Sequence, residues 1–287
     1  MRCTLLAIAC TLLCASPGFA QELGADAAHQ KQATDLRGRG EYDLAMAEIN
    51  QAIKLAPDSG GRASYLSDRS IIWRHTGEFD KAIADCDEAL RLHEFGVARS
   101  HLGRAWFGKG DFAKAIANYN QAFFPDETAA HHSPSHPLNP LVFADRAAAY
   151  SKLDEYEKAL TDFNEAIRLG PTDAYAYEKA AWFRATCPAQ KYRDGERAVT
   201  NARKACELNQ WKTFAPIDTL AAAYAEAGDF DSAIKWEQKA IDMNPRKFGE
   251  KHAAEKRLQL YKDRKPYRDE PAMNEKSEPL KDKATDK

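Results

Sequence analysis

Residues 213–246 read TFAPIDTLAAAYAEAGDFDSAIKWEQKAIDMNPR, and this stretch predicts two short helices folded back on one another. Gly228 begins the turn between the helices, and Pro245 ends the second helix. Small and large residues follow one another in order at Ala221, Tyr224, Phe230, Ala233 and Ala240. The alanines let the two helix backbones approach closely, and the aromatic rings fill the space beside them. Two helices of this size cannot bury their apolar faces alone, so the unit must stack on others.

The alanine pair of the second helix, Ala-x6-Ala, recurs along the chain and marks further copies of the same unit. Its copies are Ala45/Ala52, Ala82/Ala89, Ala115/Ala122, Ala159/Ala166, Ala198/Ala205 and Ala233/Ala240. An aromatic residue stands three places before the first alanine as Tyr42, Phe79, Phe112, Tyr156 and Phe230. The turn residue two places earlier is Gly40, Gly77, Gly110 or Gly228, with Asp154 in the fourth copy. The copies lie 33 to 44 residues apart, which indicates a repeat of about 34 residues with insertions.

This pattern resembles the tetratricopeptide repeat family over residues 26 to 247. The resemblance implies an all-α fold, a right-handed α-solenoid of about six helix hairpins with a C-terminal capping helix. The predicted repeats are about 26–59, 63–95, 96–129, 140–173, 174–210 and 214–247. Apolar residues at Ala254, Leu258 and Tyr261 predict the capping helix over 248–264. Residues 265–287 are rich in Lys, Glu, Asp and Pro, and we expect them to be disordered.

Two places depart from the repeat. Residues 60–62, Gly-Gly-Arg, are predicted to be a short insert between the first two repeats. In the fifth repeat, Arg184 falls at the position that elsewhere holds Leu36, Trp73, Trp106, Tyr150 and Tyr224. Either the register slips by one or two residues, so that Phe183 or Trp182 points inward, or this hairpin packs differently.

Residues 1–20, MRCTLLAIACTLLCASPGFA, are predicted to be a signal peptide cleaved after Ala20. One basic residue precedes an apolar run, and the small residues Gly18 and Ala20 suit a cleavage site before Gln21. No later stretch approaches about 18 consecutive apolar residues, so no membrane span is expected in the mature chain. We therefore expect a secreted or periplasmic protein.

Three cysteines, Cys86, Cys187 and Cys206, follow the predicted signal peptide. The repeat register places Cys86 and Cys206 at core positions, and Cys187 in a turn. A Cys187–Cys206 bridge would require the loop to fold back along the next helix. Three buried or inert thiols are therefore predicted.

No catalytic residues and no cofactor are predicted. The sequence contains no G-x-x-x-x-G-K, G-x-S-x-G or H-E-x-x-H motif, so the protein is not expected to be an enzyme. The net charge of −2 and the lack of a basic stripe argue against nucleic acid as a partner. His131, His132 and His136 in a proline-rich insert are candidate metal ligands, although a solvated loop is the preferred interpretation.

The family resemblance implies a concave groove, lined by the first helices of the repeats, that binds a peptide or a partner helix. The candidate groove residues are Ser67, Asp68, Ile71, Arg74, Ser100, His101, Arg104, Phe107 and Asp145. The resemblance does not extend to the family's carboxylate clamp, because Asp68 and Asp145 stand where that pattern requires Asn or Arg.

The predicted function is a non-enzymatic protein-interaction scaffold in the cell envelope, whose partner is another protein or peptide. One alternative is a metal-handling protein that uses the His-rich insert. The other is a non-catalytic subunit of an envelope enzyme or secretion complex. The sequence does not identify the partner or the oligomeric state.

Overall fold

The computed structural model describes residues 24–93, 96–123, 139–243 and 248–270. Within these ranges the chain forms α-helices, one short 3-10 helix at Gln190–Tyr192 and no strand, so the all-α prediction is confirmed. The helices are α1 (Ala25–Gly38), α2 (Tyr42–Leu55), α3 (Ser59–His75), α4 (Phe79–Leu92), α5 (Gly96–Lys109), α6 (Phe112–Phe123), α7 (Pro140–Lys152), α8 (Tyr156–Leu169), α9 (Ala174–Thr186), α10 (Gly195–Leu208), α11 (Phe214–Glu226), α12 (Phe230–Met243) and α13 (Phe248–Lys262).

The chain divides into two compact units, one ending at Glu94 and one beginning at Phe95. The N-terminal unit contains two hairpins, α1–α2 and α3–α4. The C-terminal unit contains four hairpins, α5–α6, α7–α8, α9–α10 and α11–α12, followed by α13. Within each unit, every hairpin packs on the next one along the chain.

The repeated alanines lie where the two helices of each hairpin meet. Eleven of the twelve are at most 2% exposed, and Ala122 is half-buried. A larger side chain at these positions would push the helix backbones apart, because interiors are packed to crystal-like density. The alanine pairs therefore mark the helix contacts.

The turns within the hairpins end the first helix in a left-handed conformation. Gly40, Gly77, Gly110 and Gly228 have φ values of 76° to 88°, and Asp154 takes the same role with φ 60°. The next N–H then donates to a carbonyl five residues back, a Schellman-type end. These bonds join Glu41 to Leu36, Glu78 to Trp73, Asp111 to Trp106, Glu155 to Tyr150 and Asp229 to Tyr224.

The fifth hairpin keeps the register of the others, and its packing differs. The Arg184 carbonyl accepts the N–H of Asp194 at 3.0 Å, the bond that Tyr150 and Tyr224 make in their hairpins. Phe183, one residue earlier, is buried and stacks against Phe163 at 5.2 Å. The equivalent position is also buried and apolar in α3, α5, α7 and α11, where it is Ile72, Ala105, Ala149 and Ala223.

An arginine on α7 links consecutive hairpins. Arg146 donates to both carboxylate oxygens of Asp162 on α8, at 2.7 and 2.8 Å, and to Asn120 on α6 at 2.7 Å. The N-terminal unit repeats this arrangement in the same register with Arg69, Asp85 and Asn50. Each of these two arginine-centred sets, hereafter an arginine clamp, joins three helices through charged hydrogen bonds.

Two stretches differ from their predictions. Residues 60–62, predicted to be an insert between the first two repeats, lie inside α3, which begins at Ser59 with the Asp58 side chain accepting the Gly61 N–H at 2.7 Å. This helix has 17 residues, against 13 or 14 in the other first helices. Residues 265–270 were predicted to be disordered, but they pack against the rest of the C-terminal unit. Pro266–Asp269 are half-buried there, and Asp269 accepts hydrogen bonds from α9. The predicted signal peptide and residues 271–287 lie outside the described residues.

Candidate functional site

In the N-terminal unit, the predicted groove residues lie on α3. Ser67 is buried, whereas Ile71 and Arg74 are half-buried. Asp68 accepts a hydrogen bond of 2.8 Å from Gln30 on α1, and burial raises the pKa of this carboxyl group. The surface that α3 offers to a partner is therefore smaller than predicted.

In the C-terminal unit, two predicted groove residues pair with each other. Arg104 on α5 donates to Asp145 on α7 at 2.5 Å, and Tyr175 on α9 donates to the second oxygen of Asp145 at 2.6 Å. Burial first, and the Asp145 carboxylate second, hold the pKa of Tyr175 well above its usual value. Asp145 thus joins three first helices and has both oxygens occupied.

The other predicted residues of this unit are also engaged in the fold. Ser100 is buried and donates to the Val97 carbonyl at 2.8 Å. Phe107 is half-buried and meets the edge of Phe112 at 5.2 Å between ring centroids. His101 is half-buried on α5. Ser100 and Phe107 therefore make contacts within their own hairpin.

An open cleft lies farther along the same unit, between α9, α11, α12 and α13. Its volume is about 340 Å³, and most of its lining is apolar. The apolar lining comes from Trp182, Phe214, Ala215, Ala240, Ile241, Ala253 and Ala254. The polar side chains at its border are Glu178, Lys179, Asp218, Thr219 and Arg257. An apolar cavity with a few fixed polar groups is typical of ligand sites.

The charges at the cleft are paired in a buried cluster. Arg257 donates to Asp218 at 2.7 Å and to Glu237 at 3.2 Å, and Glu237 is fully buried. Burial and then the Asp218 carboxylate raise the pKa of Glu237 to about 10, although Arg257 opposes the shift. One cation therefore faces two carboxyl groups, and burial favours the protonated form of Glu237.

Trp182 is the aromatic wall of the cleft, and its place in the repeat explains why. Counted from the carbonyl that closes each first helix, Trp182 occupies the position held by Ile71, Arg104 and Ala148. Two of those residues were predicted to face the groove. The signal for Trp182 was thus present in the sequence, but the arginine at position 184 left the register of this helix undecided.

The segment Lys265–Glu270, hereafter the strap, follows α13 and lies along this face of the C-terminal unit. Tyr267 packs on Trp182 with ring centroids 5.8 Å apart, and Arg257 lies over both rings. Asp269 accepts hydrogen bonds from Trp182 Nε1 at 2.9 Å and from Thr186 Oγ1 at 3.0 Å. Sequence reasoning missed the strap, since its hydrogen-bond partners on α9 are more than 80 residues away along the chain.

The thiols and the histidines do not form a reactive centre in the described parts of the chain. Cys86, Cys187 and Cys206 are free and buried, and burial raises the pKa of each. His131, His132 and His136 lie outside the described residues. In the described ranges, no three His, Cys, Asp or Glu side chains are grouped as metal ligands would be. No described helix has the length and apolarity to cross a membrane.

Comparison with known proteins gives relatives with the same repeat. Hsp70-Hsp90 organizing protein 1 of Glycine max is 24% identical over 207 residues, covering 71% of this chain and 33% of the relative. Hsp70-Hsp90 organizing protein 3 of Arabidopsis thaliana is 31% identical over 207 residues, covering 71% of this chain and 34% of the relative. The chain thus spans about a third of the length of these curated relatives.

The fold is shared with solved structures. A tetratricopeptide repeat protein from Parabacteroides merdae superimposes with a TM-score of 0.52 at 15% identity, covering 84% of this chain and 89% of that one. Family models described as tetratricopeptide repeat match residues 31–97, 77–130, 142–173 and 217–254. Because these matches together span more than half of the 287 residues, the chain belongs to the tetratricopeptide repeat family.

Proposed function

We propose that this protein is a non-enzymatic interaction scaffold that binds a peptide segment of a partner protein. The observation that carries the proposal is the cleft between α9, α11, α12 and α13. It is open and lined mainly by apolar side chains, with its charged groups already paired at the border. Such a cleft suits recognition by burial of a partner's side chain.

The size and lining of the cleft favour an aromatic or large aliphatic side chain as the anchor. A volume of about 340 Å³ accepts one such side chain with part of its main chain. Trp182 and Phe214 offer ring faces, and the alanines of α12 and α13 form a shallow floor. Each buried apolar side chain of this size contributes roughly 1.5–3 kcal/mol to association.

The relatives support binding of proteins, because two of them are named as organizing proteins of Hsp70 and Hsp90. The solved structure from Parabacteroides merdae supports the fold alone. We do not transfer the chaperone partners, since the chain spans only about a third of those relatives.

We also propose that the scaffold acts outside the cytoplasm, in the periplasm or after secretion. The support is the sequence of residues 1–20, with its apolar run and the small residues before Gln21. Expression of the full chain, fractionation and N-terminal sequencing test this. A mature N-terminus at Gln21 in an extracytoplasmic fraction is expected, and a retained Met1 in the cytoplasm would contradict the proposal.

The cleft is tested with one substitution that fills it. Ala253 lines the cleft from the exposed side of α13, so Ala253→Trp should occupy the site without entering the core. Ala117→Trp on α6 is the matched control, since Ala117 is also an exposed alanine inside a helix of the same unit. Peptides are selected on the full chain from a displayed random library and are then measured by fluorescence anisotropy.

We expect the selected peptides to carry an aromatic or aliphatic anchor. Their affinity should fall at least tenfold with Ala253→Trp and stay unchanged with Ala117→Trp. Equal binding by both variants would place recognition elsewhere on the chain. Failure to select any peptide would argue against the scaffold function itself.

A further inference from the structure

The strap is held in the way that a protein holds a peptide ligand, by main-chain and side-chain contacts together. The Asp269 N–H donates to the Thr186 carbonyl at 2.9 Å, and Arg268 donates to the Ala185 carbonyl at 3.2 Å. The Arg268 guanidinium also pairs with Glu226 on α11 at 2.5 Å. With Tyr267 on Trp182, three consecutive strap residues each have a partner of matching chemistry.

The end of α9 is open to such a segment because it lacks the turn that closes the other first helices. Cys187 follows α9 in an extended conformation, with φ −51° and ψ 130°, and Pro188 has no N–H to donate. The last carbonyls of a helix need donors from outside the helix. Here the strap supplies donors to Ala185 and Thr186.

The surface of the C-terminal unit that contacts the strap carries a set of groups that can recognise a short sequence. Trp182 Nε1 and Thr186 Oγ1 converge on one carboxylate oxygen, and Thr186 is fully buried and so fixed in place. Glu226 supplies a negative charge for an arginine, and the indole of Trp182 supplies a ring face. In order along the strap, these groups select an aromatic residue, an arginine and an aspartate.

We propose that the surface formed by Trp182, Thr186 and Glu226, the strap site, binds a partner segment with consecutive aromatic, arginine and aspartate residues. The strap of the chain itself fills the site until a partner segment replaces it. This inference rests on the proposed scaffold function and specifies the chemistry of the partner.

Replacement of the strap is favoured by the character of its contacts. Pro266–Asp269 are only half-buried, and the side-chain contacts of Arg268 and Asp269 are polar. The apolar contact that is lost when the strap leaves is therefore mainly that of Tyr267. The strap competes as a tethered ligand, at an effective concentration of about millimolar. Because Arg257 borders the cleft and lies over Tyr267, a segment in the strap site can extend into the cleft.

The test uses the full chain and a labelled peptide of the strap sequence, KPYRDE, measured by fluorescence anisotropy. In the Asp269→Ala variant the tethered competitor loses the two hydrogen bonds that the Asp269 carboxylate accepts from Trp182 and Thr186, whereas the strap site is unchanged. We expect this variant to bind the peptide at least tenfold more tightly than the parent does. Asp263→Ala, at an exposed position before the strap, is the matched control and should bind as the parent does.

Specificity is tested from both sides of the contact. Adding Trp182→Phe to Asp269→Ala removes the indole donor and keeps a ring, and it should abolish most of the gain. A peptide with the arginine and aspartate exchanged, KPYDRE, should bind at least tenfold more weakly. If circular dichroism shows that Asp269→Ala has lost helix, Arg268→Ala replaces it as the variant with a weakened strap.

Equal peptide binding by the parent, Asp269→Ala and Asp263→Ala would overturn the inference. A stable dimer of the parent in light scattering, lost in Asp269→Ala, would overturn it too, since the occupant would then be a second copy's strap. Selected peptides whose binding is lost with Ala253→Trp test the proposed function independently of the strap site. If these peptides bind the parent while the strap peptide does not bind Asp269→Ala, only this inference fails.

Discussion

Gly103 on α5 lies directly against the ring of Tyr119 on α6. A Cβ atom at Gly103 would come within 2.5 Å of Tyr119 Cε1, and Tyr119 is itself almost fully buried. At the positions equivalent to Tyr119 and Gly103 the first hairpin has Ile49 and Ala33, which are both buried. The large ring in the third hairpin therefore requires the smallest residue opposite it.

Gly103→Ala should lower the stability of the C-terminal unit by about 1–3 kcal/mol, because the added methyl group overpacks the contact with Tyr119. Urea denaturation followed by circular dichroism measures the change. Tyr119→Ile should restore part of the loss in the double variant, since it recreates the pair of the first hairpin. Gly38→Ala, where a Cβ meets nothing within 4 Å, is the control. Additive effects of the two substitutions would contradict the proposed contact.

Asp162→Ala should destabilise the C-terminal unit by about 2–4 kcal/mol, since it leaves the largely buried guanidinium of Arg146 without its carboxylate. The same denaturation experiment reports the loss. Glu165→Ala on the same helix removes an exposed i, i+3 pair with Arg168 and should leave the midpoint unchanged. Similar shifts for both variants would mean that the clamp adds no more than a surface pair.

Stability should fall between pH 5 and pH 9 because of Glu237. The folded chain keeps the proton of Glu237, whose pKa is raised to about 10, while the unfolded chain releases it near pH 4.5. The unfolded state thus binds fewer protons in this range, so rising pH favours unfolding. Glu237→Gln should remove this contribution, and its stability relative to the parent should increase from pH 5 to pH 9.

Glu255→Gln, at an exposed position of α13, is the control for the pH series, and its stability relative to the parent should not change with pH. Urea midpoints at pH 5, 7 and 9 give the comparison. A Glu237→Gln variant that loses stability relative to the parent as the pH rises would show that Glu237 is ionised and paired with Arg257.

The three thiols of the repeat region should resist alkylation in the folded protein. Burial raises the pKa of Cys86 and Cys206 to about 12 and also raises the pKa of Cys187, so little thiolate exists at pH 8. Iodoacetamide labelling followed by peptide mass spectrometry should find each site unmodified without urea and modified in urea. Fast labelling of Cys187 in the folded protein would show that the end of α9 opens readily.

The hairpins could be predicted because they depend on contacts close in sequence. Alanine pairs, turn glycines and the aromatic residue that begins five of the six second helices recur at fixed distances. The structure places them at the helix contacts and turns. The Gly-Gly-Arg stretch was predicted to lie between two repeats, whereas the Asp58 cap places it inside α3.

The site depended on contacts that no local pattern reveals. Asp145 was predicted to face the groove, but its partners Arg104 and Tyr175 lie 41 and 30 residues away. The charged composition of the strap suggested disorder, yet Arg268 and Asp269 meet opposite or polar groups on other helices. Composition predicts whether a segment can form a core, and it does not predict whether the segment has a partner.

Two adjacent positions near the ends of the first helices from α3 onward carry different constraints, and this has a consequence for evolution and design. The position of Phe183 must be apolar in α3, α5, α7, α9 and α11, because it is buried in each hairpin. Its neighbour is Ile71, Arg104, Ala148, Trp182 or Ala222, a range of chemistry that the fold accepts. Substitutions at the second position can therefore change what the array recognises while the first keeps the hairpins in register, so new binding preferences are accessible by single steps.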